Sequence, residues 1–213
     1  GVAQTIVDLC TTRLPNNMGI PSDQIQVLCP TKKGPAGTVN LNRMLQQALN
    51  PPTPTKQEKA FGDRIFREGD RVMQIKNNYD LLWKKSDGSA VGAGVFNGDV
   101  GIVRQVDTQM EIITVLFDDR EATYDFTQLN ELEPAFAMTV HKSQGSEYPI
   151  VIMPMANEYG IMLQKRLLYT AVSRAYESLI MIGQKQAFLN GVKRRDHYER
   201  KTTLKDRILR ILG

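Results

Sequence analysis

Two cysteines, two histidines and one tryptophan in 213 residues narrow what this chain can be before any motif is read. Cys10 and Cys29 form no Cys-x-x-Cys pair, and with only His141 and His197 beside them a structural zinc site lacks ligands. No metal ligand is therefore assigned, and both cysteines read as reduced core residues. No apolar run approaches the roughly 18 to 20 residues of a membrane span. Gly1-Val2-Ala3-Gln4 also lacks the basic and apolar regions of a signal peptide. Both absences imply a cytoplasmic protein with no membrane partner. Missing as well is a Gly-x-x-x-x-Gly-Lys-Ser/Thr loop, so nothing here cradles a β-phosphate through backbone amides and a lysine. Nor does an Asp-Glu pair follow an apolar strand to hold Mg²⁺. Asp118-Asp119 follows a strand but reads as a hairpin turn.

What is present is enough for a core: 41% of the residues are hydrophobic. The net charge of +4 is unevenly spread. Residues 184–213 hold nine Lys or Arg against Asp196, Glu199 and Asp206, so the rest of the chain is slightly acidic. A basic end can track a polyanion, and it can equally be a solvated helix face.

Helical spacing over Thr5 to Leu14, with Ile6, Leu9 and Cys10 apolar, predicts a short helix that Pro15-Asn16-Asn17 breaks. Ile25 to Cys29 reads as a buried strand, and Val39 to Leu49 as a helix with Leu41, Leu45, Ala48 and Leu49 inward. From about Gly62 to Leu132 the pattern changes to short strands: Val72 to Ile75, Gly101 to Val106, Ile112 to Phe117 and Ala122 to Phe126. The last two alternate cleanly, which points to a small antiparallel barrel. From Pro134 the α/β rhythm returns, with strands at Ala135 to Met138, Ile150 to Met153 and Leu179 to Ile182 and a helix at Leu163 to Ala175. Continuous apolar strands suggest a parallel sheet covered on both faces. A last helix, Thr203 to Leu212, is expected to dock by one apolar face. The fold class expected is thus α/β: a parallel-sheet domain of residues 1–61 and 133–213 interrupted by a small antiparallel β-barrel at 62–132.

Two polar clusters stand against this background: Ala-Met-Thr-Val-His-Lys-Ser-Gln-Gly-Ser-Glu at 137–147 and Leu-Tyr-Thr-Ala-Val-Ser-Arg-Ala at 168–175. Sites in open α/β sheets sit at the carboxyl ends of strands, and both clusters are expected there. Taken together they resemble motifs V and VI of superfamily 1 helicases, most closely the RecD-like branch that includes the exodeoxyribonuclease V alpha subunit. Pro30-Thr31-Lys32-Lys33-Gly34-Pro35-Ala36-Gly37 is similar to that branch's motif IV region. Gly69 to Gln74, Lys76 to Asp80 and Phe96 to Gly101 resemble its inserted barrel of the Src-homology-3 type. Four motifs in order cover nearly the whole chain, where any one alone is weak.

The resemblance implies a RecA-like second lobe of an ATP-dependent DNA helicase engaged in repair or recombination, moving 5′ to 3′. It makes Arg174 the arginine finger, a permanently charged fork for phosphate oxygens. Gly145 and Glu147 correspond to nucleotide-facing positions, Lys33 to a basic motif IV position reaching a phosphate of nucleotide or DNA, with Lys32 beside it as the alternative. Thr139, His141 and Lys142 correspond to the DNA side, although a lone histidine is often structural. Tyr79, Trp83 and Phe96 can stack on bases, but each is more simply barrel core or edge cover. ATP with Mg²⁺ would be bound mostly by an upstream RecA-like lobe of the same polypeptide, so the chain reads as a carboxy-terminal fragment with an artificial start at Gly1, inactive as an ATPase alone. The partners implied are single-stranded DNA, that upstream lobe and other recombination or repair subunits. The rivals are a non-enzymatic nucleic-acid-binding module and a structural lobe docked on a partner ATPase.

Overall fold

In a computed structural model, residues 1–194 are described. The expected helix at 203–212 and most of the basic end lie outside them. The chain opens with α1 (Val2–Asp8), a π-helical turn at Leu9–Arg13 and α2 (Leu14–Met18) in direct succession. Pro15 therefore does not break the helix. The Leu14 N–H reaches back to the Leu9 carbonyl, and this wider turn displaces the carbonyl that a proline ring would strike in a regular α-helix. The helix stops at Gly19 instead, where φ is +66° and the N–H groups of Gly19 and Ile20 cap the carbonyls of Pro15 and Leu14.

Strand β1 (Ile25–Cys29) is buried at every position. Helix α3 (Thr38–Leu49) turns Leu41 and Leu45 inward, while Ala48 is exposed rather than buried. A hairpin of β2 (Glu58–Phe61) and β3 (Arg64–Arg67) follows, so the division expected at residue 62 falls inside its turn. Next come β4 (Arg71–Gln74), β5 (Asn78–Lys85), β6 (Val91–Val95), β7 (Val100–Asp107), β8 (Ile112–Phe117), β9 (Arg120–Asp125) and β10 (Leu132–Pro134). These seven form one antiparallel sheet in the order β10-β4-β7-β8-β9-β5-β6. Its alternating inward residues, among them Val103, Ile113, Val115, Phe117, Ala122 and Tyr124, make a core of their own.

The chain then returns to the first sheet with β11 (Ala137–Thr139), β12 (Tyr148–Met155), α4 (Lys165–Val172), β13 (Ala175–Gly183) and α5 (Lys185–Lys193). The four strands β11-β1-β12-β13 are all parallel. Helices α1 and α3 pack on each other and on this sheet, and α4 and α5 form a second packed pair against it. Coverage on both faces explains why β12 buries every residue from Ile150 to Met155. The architecture is an α/β domain with a parallel sheet, interrupted by an all-β unit, as the change of periodicity predicts.

The seam between the two sheets is polar and closed. Buried Asp70 accepts from Asn50 Nδ2 at 2.7 Å and Gln46 Nε2 at 2.6 Å, both on or next to α3, and from the Arg67 N–H at 2.7 Å. Arg71 at the head of β4 donates to the carbonyls of Asp23 at 2.8 Å and Ile25 at 3.3 Å.

Candidate functional site

Motif V connects β11 to β12 with a single 3₁₀ turn, Val140–Ser143, and four further residues. Because β11, β1 and β12 run parallel, this short crossover must carry the chain from the carboxyl edge of the sheet back to its amino edge. Val140 and Ser143 are buried and pin the turn, Ser143 Oγ donating to the Val140 carbonyl at 2.7 Å. The predicted residues are thereby divided between two ends of one sheet.

At the amino edge lie Gly145, Glu147 and Arg174. Arg174 follows α4 and immediately precedes β13, so its position at the carboxyl end of a strand, expected from the general rule for open sheets, is not what the structure has. Two hydrogen bonds fasten motif VI to motif V: Arg174 Nη1 donates to the Ser146 carbonyl at 2.8 Å, and the Tyr148 N–H donates to the Arg174 carbonyl at 2.8 Å. Arg174 Nη2 donates to Ser173 Oγ at 3.2 Å, while its Nε is buried with no partner. A buried donor left unpaired costs free energy comparable to a lost hydrogen bond. Gly145 has φ +87°, a left-handed conformation that favours glycine, and faces open space. Glu147 is exposed.

At the carboxyl edge lie Lys33, Thr139, His141 and Lys142. Lys33 follows β1 in the loop before α3 and is exposed, as is His141. The structure does not bring Lys33 to Gly145 and Glu147 but groups it with the residues expected on the DNA side. Lys142 is paired with Glu133, the residue of β10 that leads back into the lobe. Glu133 lies outside both polar clusters, and only the β4–β10 pairing delivers it here. Of the barrel aromatics, Tyr79 and Phe96 form an exposed edge-to-face pair with centroids 5.5 Å apart. Trp83 packs partly into the barrel core, with its indole N–H unpartnered. Among the described residues no group of three or more His, Cys, Asp or Glu could hold a metal ion, and no helix is long and apolar enough to cross a membrane.

Two family matches define the class. Residues 41–117 match the family described as "ATP-dependent RecD-like DNA helicase SH3 domain", and residues 134–182 match "UvrD-like helicase C-terminal domain". In chain order, then, this protein resembles a RecD-like helicase SH3 domain followed by a UvrD-like helicase C-terminal domain.

The particular relatives agree. The chain is 32% identical over 184 residues to the ATP-dependent RecD2 DNA helicase of Deinococcus radiodurans, a match covering 86% of this chain and 23% of that protein. It is 31% identical over 161 residues to the RecBCD enzyme subunit RecD of Mycolicibacterium smegmatis, covering 76% of this chain and 25% of that one. This chain therefore spans only about a quarter of the length of these relatives. A solved Pif1 helicase from Bacteroides in complex with ADP-AlF3 and ssDNA aligns at 17% identity and a TM-score of 0.46, over 84% of this chain and 45% of that one.

Proposed function

We propose that this chain is the carboxy-terminal motor lobe of an ATP-dependent DNA helicase, translocating 5′ to 3′, and that it supplies the arginine finger and part of the track for single-stranded DNA. The observation that carries this reading is the tether between motifs V and VI: Arg174 held to the Ser146 carbonyl, its Nε orphaned, beside open space at Gly145. A pure binding module or a docking lobe has no use for a half-buried, half-satisfied guanidinium next to an exposed Glu147.

The residues at the amino edge fit a nucleotide. Gly145 permits close backbone approach, Glu147 can accept hydrogen bonds, and Arg174 can fork onto phosphate oxygens. ATP, with Mg²⁺ held chiefly by an upstream lobe, supplies the phosphoanhydride whose cleavage develops charge on the transferring group. Arg174 acts on that charge, in a site where a preorganised cation is worth far more than in water. Thr139, His141 and Lys142 at the carboxyl edge offer a hydroxyl, an imidazole and an ammonium to DNA phosphates. Lys33, on the same edge, we read as a DNA contact rather than a nucleotide contact. Residues 62–132 behave in this reading as a unit inserted into the lobe formed by 1–61 and 133–213. Other recombination or repair subunits are partners in this reading, since several relatives are subunits of the RecBCD enzyme.

The test is DNA-stimulated ATP turnover of a full-length parent carrying Arg174→Ala, which should fall by about 10³ or more while nucleotide affinity changes far less. Arg174→Lys should rescue poorly, and the 213-residue chain by itself should release no phosphate above background. Near-normal turnover in the alanine variant would remove the assignment.

A further inference from the structure

Glu133 holds two lysines at once. Its Oε2 pairs with Lys142 on the motif V turn and its Oε1 with Lys32 in the loop after β1, the latter at 3.3 Å. The three residues come from three segments that meet only because β10 brings the barrel's exit against the carboxyl edge of the lobe sheet. Burial by itself would raise the Glu133 carboxyl, but the two ammonium groups outweigh it and hold the group below the usual carboxylate range. A cavity of about 380 Å³ opens beside the triad, and Lys32, Arg43 and Arg64 line it together with Glu133 and Asp63. Lys33, by contrast, has no carboxylate partner among the described residues.

Two lysines converging on one carboxylate oxygen pair make a site with the valence of a phosphodiester. A carboxylate and a phosphodiester each carry one negative charge and at least two acceptor oxygens, so one can replace the other with no change in charge at the lysines. We propose that Lys32 and Lys142 form a phosphate subsite for single-stranded DNA, and that Glu133 is its built-in competitor, occupying the lysines between DNA contacts and released into the adjoining cavity when a backbone phosphate arrives. The inference rests on the reading that the carboxyl edge faces DNA, and it selects Lys32 over Lys33 as the basic residue that works with motif V. Its consequence is a contact that is weak by construction: every phosphate gained requires an internal ion pair to be given up, which suits a lobe that must let go at each step.

Fluorescence anisotropy of a labelled oligothymidine on the 213-residue chain, repeated across salt concentrations, tests it. Glu133→Gln should tighten binding about three- to fivefold at low salt, the scale of a partly exposed ion pair. It should also steepen the salt dependence by roughly 0.7 for each additional phosphate neutralised. The gain should vanish in Glu133→Gln/Lys142→Ala, and Asp63→Asn, which removes an acid from the same cavity without touching either lysine, should change little. If the glutamine variant misfolds by circular dichroism, Glu133→Asp, with the charge kept at shorter reach, should show an intermediate gain. Should Lys142→Ala weaken binding while Glu133→Gln or Glu133→Asp binds no tighter and no more steeply, the competitor role is overturned and the DNA reading stands. Should the wild type fail to bind at low salt, or Lys142→Ala bind as well as wild type, the DNA reading itself falls.

Discussion

Asp70→Ala removes the acceptor at the seam between lobe and barrel. Three donors converge on that carboxylate, and they do not lose equally. Gln46 Nε2 also donates to the Ile65 carbonyl at 2.8 Å and Asn50 Nδ2 to the Glu68 carbonyl at 3.0 Å, so each keeps one partner. The Arg67 N–H, in contrast, has Asp70 as its acceptor at 2.7 Å and is stranded. One buried orphan donor costs about 1–3 kcal/mol, and two weakened bonds to a charged acceptor add about 1 kcal/mol each. Against this stands the desolvation of the carboxylate, which raises the Asp70 pKa and which the donors reverse only in part. The Arg67 guanidinium keeps Glu58 at 2.8 Å and is not left as an unpaired buried charge. The net expectation is a loss of about 3 kcal/mol, or a fall of roughly 1.5 M in the urea midpoint at a slope near 2 kcal/mol/M. The single tryptophan, Trp83, reports on the barrel, whereas all five described α-helices belong to the lobe. Tryptophan fluorescence and far-ultraviolet circular dichroism should therefore coincide in the wild type and separate in the variant, the barrel signal moving first. A loss below about 1 kcal/mol, or probes that still coincide, would refute the view that Asp70 welds the two cores.

Two glycines with positive φ should respond very differently to alanine. At Gly145 the added methyl meets nothing within 4 Å, so Gly145→Ala should cost only the backbone strain of about 1–2 kcal/mol in a thermal melt. Gly183→Ala would press its Cβ to 1.9 Å from the Met155 carbonyl, where β12 and β13 end together, and little folded protein should be recovered. Burial pushes the Cys10 thiol up to about 12 and raises Cys29 as well, so both should stay protonated and unreactive toward a thiol reagent at pH 8 until urea is added. Rapid labelling of either in the native state would contradict their placement in the core.

Much of the lobe is legible in the sequence because its strands are short, continuous apolar runs that only a doubly covered parallel sheet can bury. Ile25 to Cys29 and Ile150 to Met153 are of this kind. The alternation at Ile112 to Phe117 carries the barrel in the same way. The hairpin of β5 and β6 escapes notice because Leu82, on the exposed face, is as apolar as its buried neighbour Leu81 and so masks the alternation, and because Gly92 and Gly94 weaken β6 as a strand signal. Gly92 is small for a reason found only in space: a Cβ there would lie 2.5 Å from the Trp83 ring. For the proposed site, the sequence offers candidates by kind and not by place. Motif spelling picks out Arg174 and Glu147, but a local pattern cannot say that a six-residue step from Thr139 to Gly145 crosses the sheet from one edge to the other. Glu133 has no local signature at all, since its role depends on pairing with Met73, far away in the chain.

The pairing of β4 with β10 also bears on how the chain finds its fold. Val27 must pair with Ala137 to start the parallel sheet, and the whole barrel lies between them. Once Val72 is zipped to Pro134, the barrel becomes a closed clasp whose two ends leave side by side, and the loop that β1 and β11 must close shrinks by more than half. Each halving of a loop relieves on the order of 0.6 kcal/mol of closure entropy. The gain in equilibrium terms is small, but it falls on the slow, non-local step that limits assembly of parallel sheets. The topology thus predicts an order of events: an antiparallel unit built from neighbouring strands should assemble first on its own contacts and present the rest of the chain with a shorter search.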